Sequence, residues 1–272
     1  MSGRHRFRPR DYDVSASPTI LYCNCTYGGA VPADVREAVL KGLAASGVVF
    51  EAVADLCELA ARRDPLLERL ARADGLHVIA CYPRAVRWLF AYAGAPLAPR
   101  AVIHNMRGQT PDDILSHLAP REHTGGNTPP THKPPQPPPV FPEKPPGEWI
   151  AWYPVIDYDR CKGCKQCLEF CLFGAYVLAD DGTVRVAAPE ACKLNCPACA
   201  RVCPASAIVF PKFREGGPIA GDEGVLAEPA EEGIRADLKR LSKGDVMDVL
   251  RRRATRARAA AARKYPKEHS DR

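Results

Sequence analysis

The chain has 272 residues, 46% of them hydrophobic, which is enough for one or two cored domains with tails. Its net charge of +6 is modest and gathers at the ends, in RHRFRPR at 4–10 and in residues 251–267; with no nucleic-acid motif beside it, this reads as solvated tails or a surface for an acidic protein partner, and no nucleic-acid partner is expected. Twelve cysteines, no apolar leader behind the basic start, no twin-arginine pair and no apolar run of ~20 residues give the expectation of a cytoplasmic protein without membrane insertion, where clustered cysteines bind metal more often than they form disulfides.

After a basic tail at 1–18, residues 19–23 (TILYC) read as a short buried strand. A helix follows from Pro32, whose fixed φ suits a first turn. Residues 48–53 form a second predicted strand, 56–70 a helical pattern adjusted around Pro65, and 76–80 (LHVIA) a third strand. Residues 85–92 are predicted helical and 101–104 a fourth strand, with Asp112 and Asp113 expected to cap a short helix. His77 and His104, inside strands, are expected to be structural. Strand and helix alternate as βαβ units do, which predicts an α/β open parallel sheet over 19–118.

Residues 119–150 change in kind. With PPTHKPPQPPPVFPEKPP they read as a polyproline linker, a semi-rigid spacer between that domain and a smaller cysteine-rich one at 151–213. Residues 214–230 read as a Gly/Pro-rich loop, and the rest, to 272, as basic amphipathic helices carrying Ile234, Leu238, Leu241, Val246, Val249 and Leu250.

The cysteine-rich region holds an internal repeat. Cys161, Cys164, Cys167 and Cys171 are spaced C-x2-C-x2-C-x3-C; Cys192, Cys196, Cys199 and Cys203 are spaced C-x3-C-x2-C-x3-C and followed by Pro204. A cubane [4Fe–4S] cluster needs one thiolate per iron. Closely spaced cysteines wrap one face, and the fourth ligand must arrive from another direction. Two zinc sites are the competing reading, although zinc more often takes pairs of cysteines split by a longer spacer.

On these motifs the region resembles the bacterial-type two-[4Fe–4S] ferredoxins, which implies a small α+β domain with crossed ligation. Cys161, Cys164, Cys167 and Cys203 would hold one cluster, and Cys192, Cys196, Cys199 and Cys171 the other. Leu172 replaces the usual proline after the first motif, and the gap from Cys192 to Cys196 is one residue longer than usual. Asp181-Gly182 between two apolar stretches predicts the hairpin that such a fold places there. Lys162, Lys165 and Lys193 lie beside ligands, where positive charge would favour the reduced cluster.

Four cysteines remain. Cys23 and Cys25 close the first predicted strand, Cys57 follows the second and Cys81 the third. Loops after parallel strands share one sheet edge, so these thiols are expected to converge and to suit a third [4Fe–4S] cluster. Gly28 and Gly29 would let backbone N–H groups approach its sulfides. Buried core thiols, a redox dithiol and zinc stay open as alternatives.

The segments YCNCT, DLCEL and IACYPRAVRWLF resemble the N-terminal domain of the heterodisulfide reductase A subunit, and that likeness implies a cluster at Cys23, Cys25, Cys57 and Cys81. No G-x-G-x-x-G loop marks a flavin site, and no CCG repeat of the partner subunit occurs. The sequence therefore predicts an iron–sulfur protein that moves electrons one at a time, as carrier or subunit, between redox protein partners whose identity it does not give. A redox-sensing or assembly subunit is the alternative, and an enzyme subunit acting at the N-terminal cluster a third; no catalytic residue stands out.

Overall fold

The computed structural model describes residues 18–118 and 137–223, together with Thr255. The basic tail up to residue 17, residues 119–136 of the expected linker and the helices expected after 230 lie outside the described residues, apart from Thr255.

Strand β1 (Ile20–Cys23) is buried at every position, as a central parallel strand covered on both faces must be. Helix α1 (Ala33–Ala45) starts behind Pro32 and buries Val39, Leu40 and Leu43 on one stripe. The second strand is shorter than expected, β2 (Glu51–Val53). The helical pattern around Pro65 resolves into two helices, α2 (Leu56–Arg62) and α3 (Pro65–Ala71). Arg63 ends α2 in the left-handed region (φ 51), and Asp64 caps α3 with Pro65 at its first turn. Strand β3 (His77–Ala80), helix α4 (Pro83–Tyr92) and strand β4 (Val102–Asn105) follow. In α5 (Pro111–Ser116) the cap is Thr110, one turn ahead of Asp113 in a capping box; Asp112 only adds negative charge to the first turn. Of the two aspartates expected to cap it, Asp113 takes part through the box and Asp112 does not.

The four strands form one parallel sheet in the order β2-β1-β3-β4. From β1 the chain first steps outward to β2, then crosses back to β3. The strand order therefore switches direction between β1 and β3, the place where open α/β sheets gather ligands at the carboxyl ends of their strands. Helices α1 and α5 pack together, and so do α2 and α4.

The cysteine-rich part is made of short elements: β5 (Val155–Ile156), α6 (Gln166–Phe170), β6 (Tyr176–Leu178), β7 (Val184–Val186), a 3-10 turn (Pro189–Ala191), α7 (Ala198–Arg201), β8 (Ile208–Val209) and α8 (Gly217–Ala220). Strands β5 and β8 pair antiparallel, and β6 and β7 form the expected hairpin in the register Tyr176↔Val186. Its turn is closed by the Asp181 carboxylate, which accepts from the Thr183 N–H, and by Gly182 at φ 78.

This part is not strung loosely beyond the sheet. One buried apolar cluster runs through both, from Tyr22 and Phe90 to Val155, Tyr176 and Phe210. Two ion pairs within it are buried at both ends: Arg84 Nε to Asp157 at 2.5 Å and Lys212 Nζ to Asp55 at 2.5 Å. The end of the proline-rich stretch is docked as well. Tyr27 donates to the Pro142 carbonyl, and Lys144 binds the Glu58 carboxylate and the Trp149 carbonyl. Phe141, Pro142, Lys144 and Trp149 thus pack on the folded body, within a stretch expected to be a spacer.

Candidate functional site

The thiols at 23, 25, 57 and 81 converge at the carboxyl edge of the sheet, on both sides of the switch between β1 and β3. All four are buried, at 5–8% exposure. Cys23 ends β1 and accepts a hydrogen bond from the Leu56 N–H at 3.3 Å, which ties the β1 loop to the first turn of α2. Burial pushes the Cys23 thiol well up, and the charges of Cys25, Asp55 and Cys81 push it further. Cys57 is raised by burial and then by Asp55, Cys81 and Cys25, against Lys212. Burial and Cys25 lift Cys81 to about 12. Charge interactions link Cys23 with Cys25 and Cys81, and Cys57 with Cys81 and Cys25, so the four thiols are neighbours. Cys25 adopts φ 50, a left-handed conformation that a residue with a side chain enters only at a cost.

Among the other eight thiols, charge interactions reach across the two motifs. Cys167 is raised to about 12 by burial and then by Cys203, Cys161 and Cys164. Cys192 is raised by burial and then by Cys199, Cys171 and Cys196. Cys199, lifted to about 12 by burial, feels Cys171 and Cys196 as well as Cys167, so the two groups adjoin. Two hydrogen bonds to sulfur fix the geometry, Ala207 N–H to Cys203 at 3.3 Å and Tyr176 O–H to Cys199 at 3.1 Å. Gly163 (φ 65), Lys165 (φ 62) and Asn195 (φ 60) turn the cysteine loops through the left-handed region, which coils a short loop tightly round its centre. A cavity of about 590 Å³ opens among Cys171, Cys192, Cys196 and Cys199, rimmed by Phe173 and Leu194. Among the described residues no three His, Cys, Asp or Glu side chains form a group that could hold a single metal ion. Donors that are thiols throughout have the chemistry a sulfur-bridged iron centre takes.

Two curated proteins resemble this chain. An uncharacterized ferredoxin of Methanocaldococcus jannaschii is 49% identical over 63 residues, 23% of this chain and 42% of that protein. Pyruvate synthase subunit PorD of the same organism is 33% identical over 69 residues, 25% of this chain and 76% of that subunit. The chain shares a ferredoxin region with these proteins. It does so through about a quarter of its length, and it spans less than half of the first of these relatives. No family model matches the chain, and no solved structure does.

These likenesses support an iron–sulfur electron-transfer role for the matched region. Among its described residues no helix is long and apolar enough to cross a membrane. Several expected details take a different form. Lys162, Lys165 and Lys193 are exposed, so solvent and salt screen their charge. A cation that is buried is Lys212, which sequence reading passed over because it lies nine residues beyond Cys203 and far from the N-terminal thiols in the chain. Burial alone would lower its ammonium pKa, but the charges of Cys57 and Asp55 outweigh burial and raise it. Gly28 has a role of its own: a Cβ there would come within 2.8 Å of Lys212 Cδ, so the glycine makes room for the lysine stem. Gly29, at φ 57, lies against the Arg214 guanidinium. His77 and His104 hydrogen-bond ring to ring at 3.0 Å and stack, away from every thiol group named above.

Proposed function

We propose that this chain is a ferredoxin-type electron carrier or subunit with three [4Fe–4S] centres. Cys161, Cys164, Cys167 and Cys203 would hold the first, Cys171, Cys192, Cys196 and Cys199 the second, and Cys23, Cys25, Cys57 and Cys81 an N-terminal third. The observation that supports the reading is the convergence of four buried thiols at one sheet edge, in a chain that also carries two four-cysteine motifs. The clusters would supply one-electron chemistry; the protein holds them, excludes water and sets their charge environment.

For the N-terminal set, burial weighs against a thiol sensor. Reactive thiols are exposed and have lowered pKa values, whereas Cys23 and Cys57 are buried and raised. A purely apolar core would have no need of the Lys212–Asp55 pair among those thiols, because a buried ion pair contributes little stability over apolar packing. The resemblance of residues 19–118 to the N-terminal domain of the heterodisulfide reductase A subunit belongs to this reading, as does the division into an α/β unit at 19–118 and a ferredoxin unit at 151–213. The likeness to pyruvate synthase subunit PorD supports a place within a larger redox enzyme, with protein donor and acceptor.

The test is iron, acid-labile sulfide and zinc per chain, on protein reconstituted without oxygen. About 12 iron and 12 sulfide are expected for three cubanes. About 8 of each would remove the N-terminal centre, and zinc in place of iron would overturn the carrier.

A further inference from the structure

The N-terminal thiols are enclosed. Their exposures are 5, 8, 6 and 8%, whereas Cys164 of the first set is exposed and the second set opens to a cavity. A centre held by buried thiols exchanges electrons through protein, and the route is set by what touches the cysteine loops. Tyr153, which donates to the Cys57 carbonyl, and Lys212, which binds Asp55, are two such contacts, and Arg84 is a third that reaches the first ferredoxin set. Arg84 follows Cys81 by three residues, in the first turn of α4, and its guanidinium is 2% exposed. Its Nε binds Asp157 at 2.5 Å, one terminal nitrogen donates to the Ser206 carbonyl at 2.5 Å, and the other donates to the Pro218 carbonyl at 3.1 Å.

Both of the first two partners belong to the frame of the first set. The Asp157 carbonyl accepts from the Cys161 N–H at 3.0 Å. Ser206 donates its N–H to the Cys203 carbonyl at 3.1 Å, and the next residue, Ala207, donates to Cys203 sulfur at 3.3 Å. A second contact runs the same way: Trp88, one turn further along α4, meets Tyr158 edge to face at 5.8 Å, three residues before Cys161.

We propose that Arg84 is a positioning residue that couples the N-terminal centre to the first ferredoxin centre, so that electrons reach Cys23, Cys25, Cys57 and Cys81 by way of Cys161, Cys164, Cys167 and Cys203. The proposal rests on the three-centre reading above. The step is a single-electron transfer between neighbouring centres: one loses what the other gains, no bond forms or breaks and no proton moves. Arginine suits the position because its planar fork reaches a carboxylate and two carbonyls at once and stays charged in a buried site, which a lysine point charge cannot reproduce. Covalent and hydrogen-bonded contacts of this kind form the contiguous network through which two sites influence each other.

The experiment uses the full chain, reconstituted and fully reduced, and reads magnetic interaction between centres by electron paramagnetic resonance. Cys196→Ala disables the second centre and leaves the N-terminal and first centres; interaction-split signals are expected to persist. Cys164→Ala disables the first centre and leaves the N-terminal and second; splitting is expected to be lost. The reverse pattern, or no splitting in either variant, overturns the proposal. Arg84→Lys alters no ligand and keeps the ion pair with Asp157 while giving up the fork. Freeze-quench after a sub-stoichiometric pulse of reductant should find the ferredoxin centres reduced at the native rate and the N-terminal signal several-fold slower. Equal arrival rates in the two proteins would remove Arg84 from the route. Iron content separates the two readings: about 8 iron per chain breaks the three-centre assignment, while about 12 iron without the expected splitting breaks the Arg84 coupling alone.

Discussion

The two cysteine regions reach sets of four thiols by opposite means. In the ferredoxin part the cysteines lie close in sequence, the loops turn through left-handed residues such as Gly163 and Asn195, and every thiol but that of Cys199 remains partly open to solvent. In the sheet part the cysteines are spread over almost sixty residues, and the parallel order β2-β1-β3-β4 brings them together at one edge. Local spacing needs little help from the rest of the fold. Convergence by topology needs all of it, including Lys212 from beyond the last ferredoxin cysteine. The second kind of site is therefore the more enclosed and the more dependent on long-range contacts.

The sharpest way to break this contrast is Cys81→Ser. It should lower iron from about 12 to about 8 per chain and leave the ferredoxin spectra intact; loss of all iron would show that the two regions do not hold their centres independently. Next in size is Lys212→Met, which strands the Asp55 carboxylate in a buried place. Removing one partner of a buried pair costs about 3–5 kcal/mol, read as a shift in denaturant midpoint. Adding Asp55→Asn should recover part of that loss, since it removes the orphan charge. A single Lys212→Met with unchanged stability would mean that the pair is solvated.

A smaller effect concerns acid. His104 is held down to about 4 by burial and by the charges of His77 and His117, against an ordinary 6.5. Because its folded pKa is the lower, the unfolded chain takes up the proton first. The stability that depends on neutral His104 is present above pH 6.5 and declines as pH falls toward about 4. His104→Gln should flatten that part of the pH–stability curve, and an imidazole titrating near its ordinary value by NMR would contradict it. Smallest of all is Lys193→Gln, expected to lower the potential of the second centre slightly at low salt, with the shift vanishing at high salt because the side chain is exposed. A shift that survives high salt would place the ammonium closer to the cluster than its exposure implies.

Much of the fold is written in local patterns. The apolar TILYC run, the helix behind Pro32, the LHVIA strand and the Asp181-Gly182 hairpin all occur where periodicity and turn chemistry put them. Where reading and structure part, a longer-range or finer interaction decided. Pro65 divides one helical pattern into two because Arg63 can take the left-handed turn and Asp64 can cap the second helix. Thr110 and Asp113 cap α5 together, because the Thr110 hydroxyl accepts from the Asp113 N–H while the Asp113 carboxylate accepts from the Thr110 N–H; Asp112 takes no part. The end of the proline-rich stretch packs because Lys144 finds Glu58 and Tyr27 finds the Pro142 carbonyl, partners more than eighty residues away.

By itself, the sequence determined which residues are ligand candidates and which elements carry them, since cysteine spacing, apolar periodicity and turn residues act over a few positions. Only the tertiary structure decided what surrounds them. Arg84 with Asp157 and Lys212 with Asp55 are separated by 73 and 157 residues, and nothing local marks either pair. A charge is stable in the interior only when its partner arrives from elsewhere in the fold, so the buried charges of this protein, and the path between its cysteine sets, exist only once the two regions have packed together.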